Sequence, residues 1–190
     1  MKLPDNWNTI QGKEYGAFTA VPPGGYICRI VKAEEKTSQS GRHMLALYFD
    51  ICEGEYADYY KKDFDSNTNA DKKWRGAYHQ LTEGNSESYF KGMIIAIEKS
   101  NPGYTFTGDE STLRGKLFGA VFGEEEYRKR DGAIGTSSKM MYLVKTDSIR
   151  DGKYTVPDKK LLKPSNDEIN TYMANSTGFA EPVDDEELPF

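Results

Sequence analysis

The feature that most constrains the fold is the segment 42–53, in which apolar side chains recur at every second position. The two alternating sets are Leu45, Leu47, Phe49 and Ile51 on one side and Met44, Ala46, Tyr48 and Asp50 on the other. Successive side chains of a β-strand point to opposite faces, so this period of two indicates a strand with one face in a core. We therefore expect a β-rich domain with the first set inside and Tyr48 on the outer face.

Four further segments are predicted to be strands. Residues 26–33 follow a Pro- and Gly-rich lead-in and are rich in β-branched and aromatic types, and residues 37–41 are typical of a hairpin loop. Residues 56–64 are predicted to be the third strand, with aromatic or basic side chains on both faces. Residues 116–122 and 139–148 are predicted to be the last two, joined by a long connection over residues 123–137.

Two segments have the spacing of helices. Trp74, Tyr78 and Leu81 are four and three residues apart, which predicts a helix over 68–82. A second helix is predicted over 86–100, ended by the breaker Asn101-Pro102-Gly103. Three strands, helices and two strands predict an α+β domain that is mainly β. This order matches a five-stranded oligonucleotide-binding (OB) fold barrel with its helices between the third and fourth strands.

The chain divides into four predicted regions. Residues 1–20 are interpreted as an N-terminal arm and residues 21–155 as the barrel. Residues 156–181 are interpreted as a linker in which the capping-box sequence 165–168 begins a short helix. Residues 182–190 form an acidic tip that we expect to be flexible.

Charge and cysteine content narrow the class of protein. Five of the 30 acidic residues lie in 181–190, and the other 25 balance the 25 Lys and Arg residues, so DNA binding would need bases gathered on one face. Cys28 and Cys52 are not in a Cys-x-x-Cys pair, and with His43 and His79 they form a scattered set, so we expect no metal and no cofactor. No apolar run reaches the roughly 20 residues that span a bilayer, and residues 1–5 do not resemble a signal peptide. We expect a cytoplasmic protein with no membrane partner.

The last seven residues suggest a docking segment. They are Asp184, Asp185, Glu186, Glu187, Leu188, Pro189 and Phe190. The four acids repel one another and Pro189 lacks a backbone donor, which disfavours a folded element. Burial of the Phe190 ring is worth roughly 1.5–3 kcal/mol, and a terminal carboxylate can accept a charge-assisted bond from a basic pocket.

This ending resembles the C-terminal tip of bacterial and phage single-stranded-DNA-binding proteins. In that family the tip recruits replication, recombination and repair proteins. The resemblance implies partners of that kind, such as a helicase loader, a recombinase mediator, a nuclease or a polymerase.

The body resembles the same family, in the type encoded by phages of Gram-positive bacteria. The similar motifs are Gly24-Gly25-Tyr26, Ser40-Gly41, residues 47–51, residues 53–56 and residues 149–153, within a likeness that covers roughly residues 16–160. The resemblance implies an OB fold in the host cytoplasm that binds single-stranded DNA during phage replication and recombination. It also implies little sequence preference. If the protein self-associates, a dimer is favoured over a tetramer.

Single-strand binding needs bases that follow the phosphates and aromatics on which nucleobases stack. In an OB barrel these lie on the second and third strands and on the hairpin loops between strands one and two and strands four and five. Which face of the third strand meets DNA stays open. The candidates are Lys36, Arg42, His43, Tyr48, Tyr59, Tyr60, Lys61, Lys62, Arg128, Lys129, Arg130 and Lys139.

Two other functions stay open. Asp50, Glu53, Glu55 and Asp58 crowd one hairpin beside Lys61, which is the composition of a metal-dependent nuclease. Turn acids are usually solvated, however, and no recognised catalytic motif is present, so we expect no enzyme. A protein–protein adaptor would keep the tip and lack the basic and aromatic groove.

Overall fold

The computed structural model describes residues 20–163, which contain five strands and three α-helices. The strands are β1 (Gly24–Thr37), β2 (His43–Ile51), β3 (Ala77–Leu81), β4 (Leu117–Arg128) and β5 (Ile134–Val144). The helices are α1 (Tyr59–Ser66), α2 (Glu87–Ser100) and α3 (Thr146–Arg150), with 3₁₀ turns at Gly84–Ser86 and Glu110–Leu113. The α+β class and the number of strands are confirmed.

All five strands form one open antiparallel sheet in the order β3-β2-β1-β4-β5. Because β4 returns to lie beside β1, the first four strands have the Greek-key order. The register of β1 against β2 shifts between Ile30 and Lys32, so Val31 is a bulge. A bulge bends a strand and increases its twist. Residues 24–29 of β1 pair with β4, while residues 32–37 beyond the bulge pair only with β2.

The core lies on one face of this bent sheet. Leu45, Leu47, Phe49 and Ile51 are all buried, which confirms the inner set predicted from their alternation. The core also contains Cys28, Ile30, Phe118 and Phe122 from β1 and β4, with Met93, Ile94 and Ile97 from α2. Helix α2 agrees closely with the helix predicted over 86–100.

The third predicted strand and the first predicted helix are both wrong. Residues 56–64 form a turn followed by α1, in which the buried residues are Tyr60 and Asp63, three positions apart. The strand next to β2 is instead β3, within the predicted helix 68–82, and it places Tyr78 opposite Leu47. Tyr78 therefore packs on the core by strand pairing.

Strand β4 is longer than predicted, and β5 both begins and ends earlier than the predicted strand 139–148, because residues 146–150 form α3. β4 continues to Arg128 and β5 begins at Ile134, so most of the predicted connection 123–137 is a β-hairpin. After α3, residues 153–163 run back along the sheet. The backbone of Lys160 bonds to Glu124 and Glu126 of β4, and the Tyr142 hydroxyl donates to the Thr155 carbonyl at 2.6 Å.

The arm, most of the linker and the whole acidic tip, with its residues 184–190, lie outside the described residues. Between residues 20 and 163, no helix has both the length and the apolar character needed to cross a membrane.

Candidate functional site

The tip of the β4–β5 hairpin is a basic and aromatic projection. Arg128, Lys129 and Arg130 are all exposed, and a tight turn closed by the Lys129 N–H donating to the Ala133 carbonyl at 2.8 Å holds them. Tyr127 is 43% exposed beside them, and its ring lies so close over Gly135 that an added Cβ there would meet it at 2.8 Å. Glycine at position 135 therefore permits this placement of the Tyr127 ring.

A cleft of about 260 Å³, which we call the β3–β5 cleft, lies between the two outer strands of the sheet. Tyr59 and Tyr60 of α1, Arg75 and Ala77 line one wall. The other wall is formed by Tyr127 and residues 136–140 of β5, including Lys139. The hydroxyl of Ser138 on this wall is buried and has no hydrogen-bond partner among the described residues.

Asp50 fixes the helix that forms part of this cleft. Its carboxylate accepts N–H bonds from Tyr60 at 2.9 Å and Lys61 at 3.0 Å, the first turn of α1, and another from Ile51 at 2.9 Å. The first N–H groups of a helix have no partner within the helix, and the preceding residue Asp58 makes no side-chain cap. Asp50 thus caps α1 from a neighbouring strand. Burial nevertheless raises its pKa above the ordinary value, although the three N–H bonds oppose that shift.

A second polar group, the Tyr48 cluster, consists of Lys32, Glu34, Lys36 and Tyr48 on the outer face of β1 and β2. Glu34 accepts from the Tyr48 hydroxyl at 2.9 Å and forms ion pairs with Lys32 and with Lys36, the latter at 2.7 Å. Hydrogen bonds from Lys32, Lys36 and Tyr48 lower the pKa of Glu34 to about 2. The two Lys Nζ atoms lie 5.8 and 5.1 Å from the centre of the Tyr48 ring. The single carboxylate of Glu34 therefore pairs with both lysines of the cluster.

His79 connects the Tyr48 cluster electrostatically with the β3–β5 cleft. It pairs with Ala46 on the same outer face. Although His79 is exposed, partial loss of solvent around its ring lowers its pKa below the ordinary value, and the charges of Lys36 and Lys139 lower it further. Two lysines that are predicted to bind DNA, Lys36 of the first hairpin and Lys139 of β5, thus both act on the pKa of His79.

The structure brings together only part of the predicted site. Tyr59 and Lys139 line the cleft, next to the hairpin tip that carries Arg128, Lys129 and Arg130. Lys139 also forms an ion pair with Glu125 at 2.9 Å. Tyr60 lines the cleft but is buried, and it packs edge-on against Phe49 with ring centres 5.5 Å apart.

Four predicted residues lie on other features. On α1, Lys61 pairs with Asp65 at 2.5 Å and Lys62 donates to the Ala57 carbonyl at 2.7 Å. Arg42 is exposed at the end of the first hairpin, where its N–H donates to the Ser38 hydroxyl at 3.0 Å. The Nδ1 atom of His43 lies 2.9 Å from a carboxylate oxygen of Glu35.

Sequence reasoning missed Tyr127, His79 and a basic loop. That loop, the α1–β3 loop, comprises residues 67–76 and carries Lys72, Lys73 and Arg75. A signal was present in the sequence, since Lys72-Lys73-Trp74-Arg75 and Tyr127-Arg128-Lys129-Arg130 are both runs of three bases and one aromatic residue. The predicted helix over 68–82 hid the first run, because it treated Trp74 as a core residue of a helix.

Comparison with known proteins adds no established activity. A family described as "Protein of unknown function (DUF669)" matches residues 6–82, which end with β3. No curated protein gives a significant match to the chain.

Proposed function

We propose that the protein binds single-stranded DNA with little sequence preference and that it works by binding and not by catalysis. The observation that carries this proposal is the placement of the β4–β5 hairpin tip. It places the exposed ring of Tyr127 in the lining of the β3–β5 cleft, and three exposed bases follow this ring directly in the hairpin turn. Stacking on aromatics combined with a basic path for phosphates is how proteins hold single strands regardless of sequence.

The strand order supports an OB-type barrel as the finer description of the fold. A Greek-key sheet with a bulged central β1 and a cleft between β3 and β5 is what a partly open five-stranded barrel would give. In such a barrel the β4–β5 hairpin is one of the loops that bind oligonucleotides. Backbone contacts between β3 and β5 measured by NMR would test the closure.

Two of the four acids proposed above for a nuclease have structural partners. Asp50 caps α1, and Glu53 forms an ion pair with Arg150 at 2.8 Å. Among residues 20–163, no group of three His, Cys, Asp or Glu side chains is placed to hold a metal ion. These contacts favour binding over metal-dependent cleavage. Incubation with Mg²⁺ or Mn²⁺ and a labelled single strand tests this, and cleavage of the strand would overturn it.

Titration of a fluorescent oligo-dT at several salt concentrations tests DNA binding directly. For single strands the slope of log K against log[salt] is about −0.7 per phosphate contact. We expect binding that weakens linearly on this plot, and similar affinities for other unstructured sequences. No binding in dilute buffer would overturn the proposal.

We further propose that the acidic tip, residues 184–190, recruits partner proteins and competes with DNA for the basic surface when no DNA is present. This part of the proposal rests on the charge and apolar ending of the sequence. Deletion of residues 182–190 should strengthen oligo-dT binding most at low salt, and loss of Phe190 should abolish partner capture. Unchanged affinity at low salt would reject the competition, and unchanged capture would reject the recruitment.

A further inference from the structure

The α1–β3 loop is a second basic wall of the β3–β5 cleft. Arg75 lines the cleft on the side opposite Lys139, and Lys72 and Lys73 precede it by three and two positions. A second, more open depression along this loop shares Arg75 with the cleft and is also lined by Asn67, Asn69, Ala70, Asp71, Lys72 and Lys73. Two basic segments far apart in sequence therefore face one cleft.

The loop is held firmly at its end. The Trp74 indole N–H donates to the Phe49 carbonyl at 3.0 Å, and the Phe49 N–H donates to the Gly76 carbonyl at 2.8 Å. Gly76 packs so tightly that an added Cβ would meet the Phe49 carbonyl oxygen at 2.3 Å. These contacts with β2 fix the position from which the basic side chains extend.

Arg75 is anchored by a carboxylate and still reaches solvent. Its Nη1 lies 3.2 Å from the Asp63 carboxylate, and the side chain of Asp63 is 12% exposed while that of Arg75 is 65% exposed. An Arg held in this way loses little freedom when it meets an anion, because its position is already set.

Lys72 and Lys73, like Lys129 of the hairpin tip, differ from three other candidate lysines in having no carboxylate partner among residues 20–163. Lys36, Lys61 and Lys139 each pair with a carboxylate. Within residues 20–163, neither Lys72 nor Lys73 forms an ion pair, and the ammonium of Lys72 lies 4.4 Å from the centre of the Phe64 ring. A lysine without a carboxylate partner can take up a phosphate without first losing an ion pair.

We propose that the α1–β3 loop is a second phosphate-binding wall, so that one strand of DNA crosses the cleft from the β4–β5 hairpin to Lys72, Lys73 and Arg75. This inference rests on the proposed function and extends it, since it assigns the path of the strand. Beside this path, Asp63 and Glu125 are each engaged by a base, whereas Asp71, which lines the open depression next to Lys72, forms no ion pair among residues 20–163.

The test compares the double variant Lys72→Ala/Lys73→Ala with the control Lys91→Ala/Lys99→Ala. The control residues are exposed on α2, which packs against β3, β4, β5 and α3 but contributes no residue to the lining of the cleft. Both variants lose two positive charges, so a general effect of net charge is equal in the two. Affinity for oligo-dT is measured against salt for oligomers of about 5 and about 16 nucleotides, which bracket the usual site size of one OB-type barrel.

Each lost phosphate contact should reduce the slope of log K against log[salt] by about 0.7, so the loop variant should have a slope shallower by about 1.4. Across a fourfold rise in salt, the affinity ratio between the native protein and this variant should therefore shrink about sevenfold. The gain in affinity from the short to the long oligomer should also be smaller in the loop variant than in the control. A loop variant with the slope and length gain of the control would overturn the inference while leaving the proposed function standing. Failure of the native protein to bind either oligomer would instead reject the proposed function.

Discussion

The two basic and aromatic segments on either side of the β3–β5 cleft are alike in composition and opposite in construction. In the α1–β3 loop, Trp74 is fixed by its bond to Phe49, and its ring lies 5.8 Å from that of Phe64. In the β4–β5 hairpin, Tyr127 is 43% exposed and rests on a glycine. The same residue types thus give an anchored wall in one place and an exposed ring in the other. Exposure and partners decide which segment can stack on a base.

The largest expected effect is on stability, from Trp74→Ala. Removal of this half-buried ring and its hydrogen bond should lower the free energy of unfolding by about 3 kcal/mol, the lower end of the range for Trp→Ala changes. For a chain of this length that corresponds to a fall in Tm of roughly 6–12 °C. Thermal and urea unfolding measure it, with Tyr127→Ala as the matched variant from the other segment.

Tyr127→Ala should change the free energy of unfolding by less than about 0.5 kcal/mol, as is usual for exposed positions. If the two variants lost equal stability, the contrast between an anchored and an exposed segment would be wrong.

The second effect is on DNA binding, where Tyr127→Ala, the variant that loses little stability, should lose affinity. Tyr127→Ala should weaken oligo-dT binding by roughly 1–3 kcal/mol, about 5- to 150-fold, because one base loses its stacking surface. The control is Tyr89→Ala on α2, which removes an aromatic ring that is 73% exposed and lies away from the cleft. Fluorescence anisotropy at one fixed salt concentration is sufficient. Equal affinities of the two variants would remove Tyr127 from the binding surface.

The strands that were predicted correctly have a signal that lies within one segment. The alternation of Leu45, Leu47, Phe49 and Ile51 is local, and every one of these residues is buried in β2. Helix α2 was also correct, because its apolar residues recur with a helical period over fourteen positions. In both segments the pattern repeats often enough to distinguish a strand from a helix.

The errors arose where contacts distant in sequence decide the structure. Over 56–64 the alternation of aromatic and basic residues suggests a strand, but Asp50 receives the first N–H groups of α1 and stabilises a helix. Over 74–81 three residues have helical spacing, but the segment pairs with β2 and contains β3 instead. The periodicity of a single segment does not reveal such pairing. Because α1 and the loop before β3 line the cleft, the same errors removed one wall of the candidate site from the prediction.

Whether a predicted site residue is available to bind DNA depends on the partners that its side chain has in the structure. Arg128, Lys129 and Arg130 are predicted to be a basic loop, and they are exposed directly after Tyr127, which lines the cleft. Tyr48 and Lys36 are predicted to bind DNA, and Tyr48 lies on the outer face of the sheet as expected, but Glu34 engages both side chains. A sequence gives residue types on a strand, whereas the pairing of their charges depends on register across strands.

The smallest expected effect concerns the pKa of His79, which lies between the Tyr48 cluster and the cleft. Partial loss of solvent around the ring, Lys36 and Lys139 hold it below the ordinary value of about 6.5. The unfolded chain therefore binds the proton more readily, so the contribution of His79 to the free energy of unfolding is fully present above a pH of about 6.5 and is lost as pH falls from there through the lower folded-state pKa. Phosphates near Lys36 and Lys139 would bring negative charge, so DNA should raise this pKa and binding should strengthen as pH falls below neutral.

An NMR titration of the His79 ring, free and saturated with oligo-dT, measures this shift, and His43→Gln assigns the signals of the two histidines. Lys139→Ala should raise the pKa of His79 in the free protein, because one repelling charge is gone, and should reduce the further rise on adding DNA. If the pKa of His79 does not change when the oligomer saturates the protein, the strand does not pass near Lys36 or Lys139. The proposed path across the cleft beside Lys139 would then be wrong, and the Tyr48 cluster would serve only to stabilise β1 against β2.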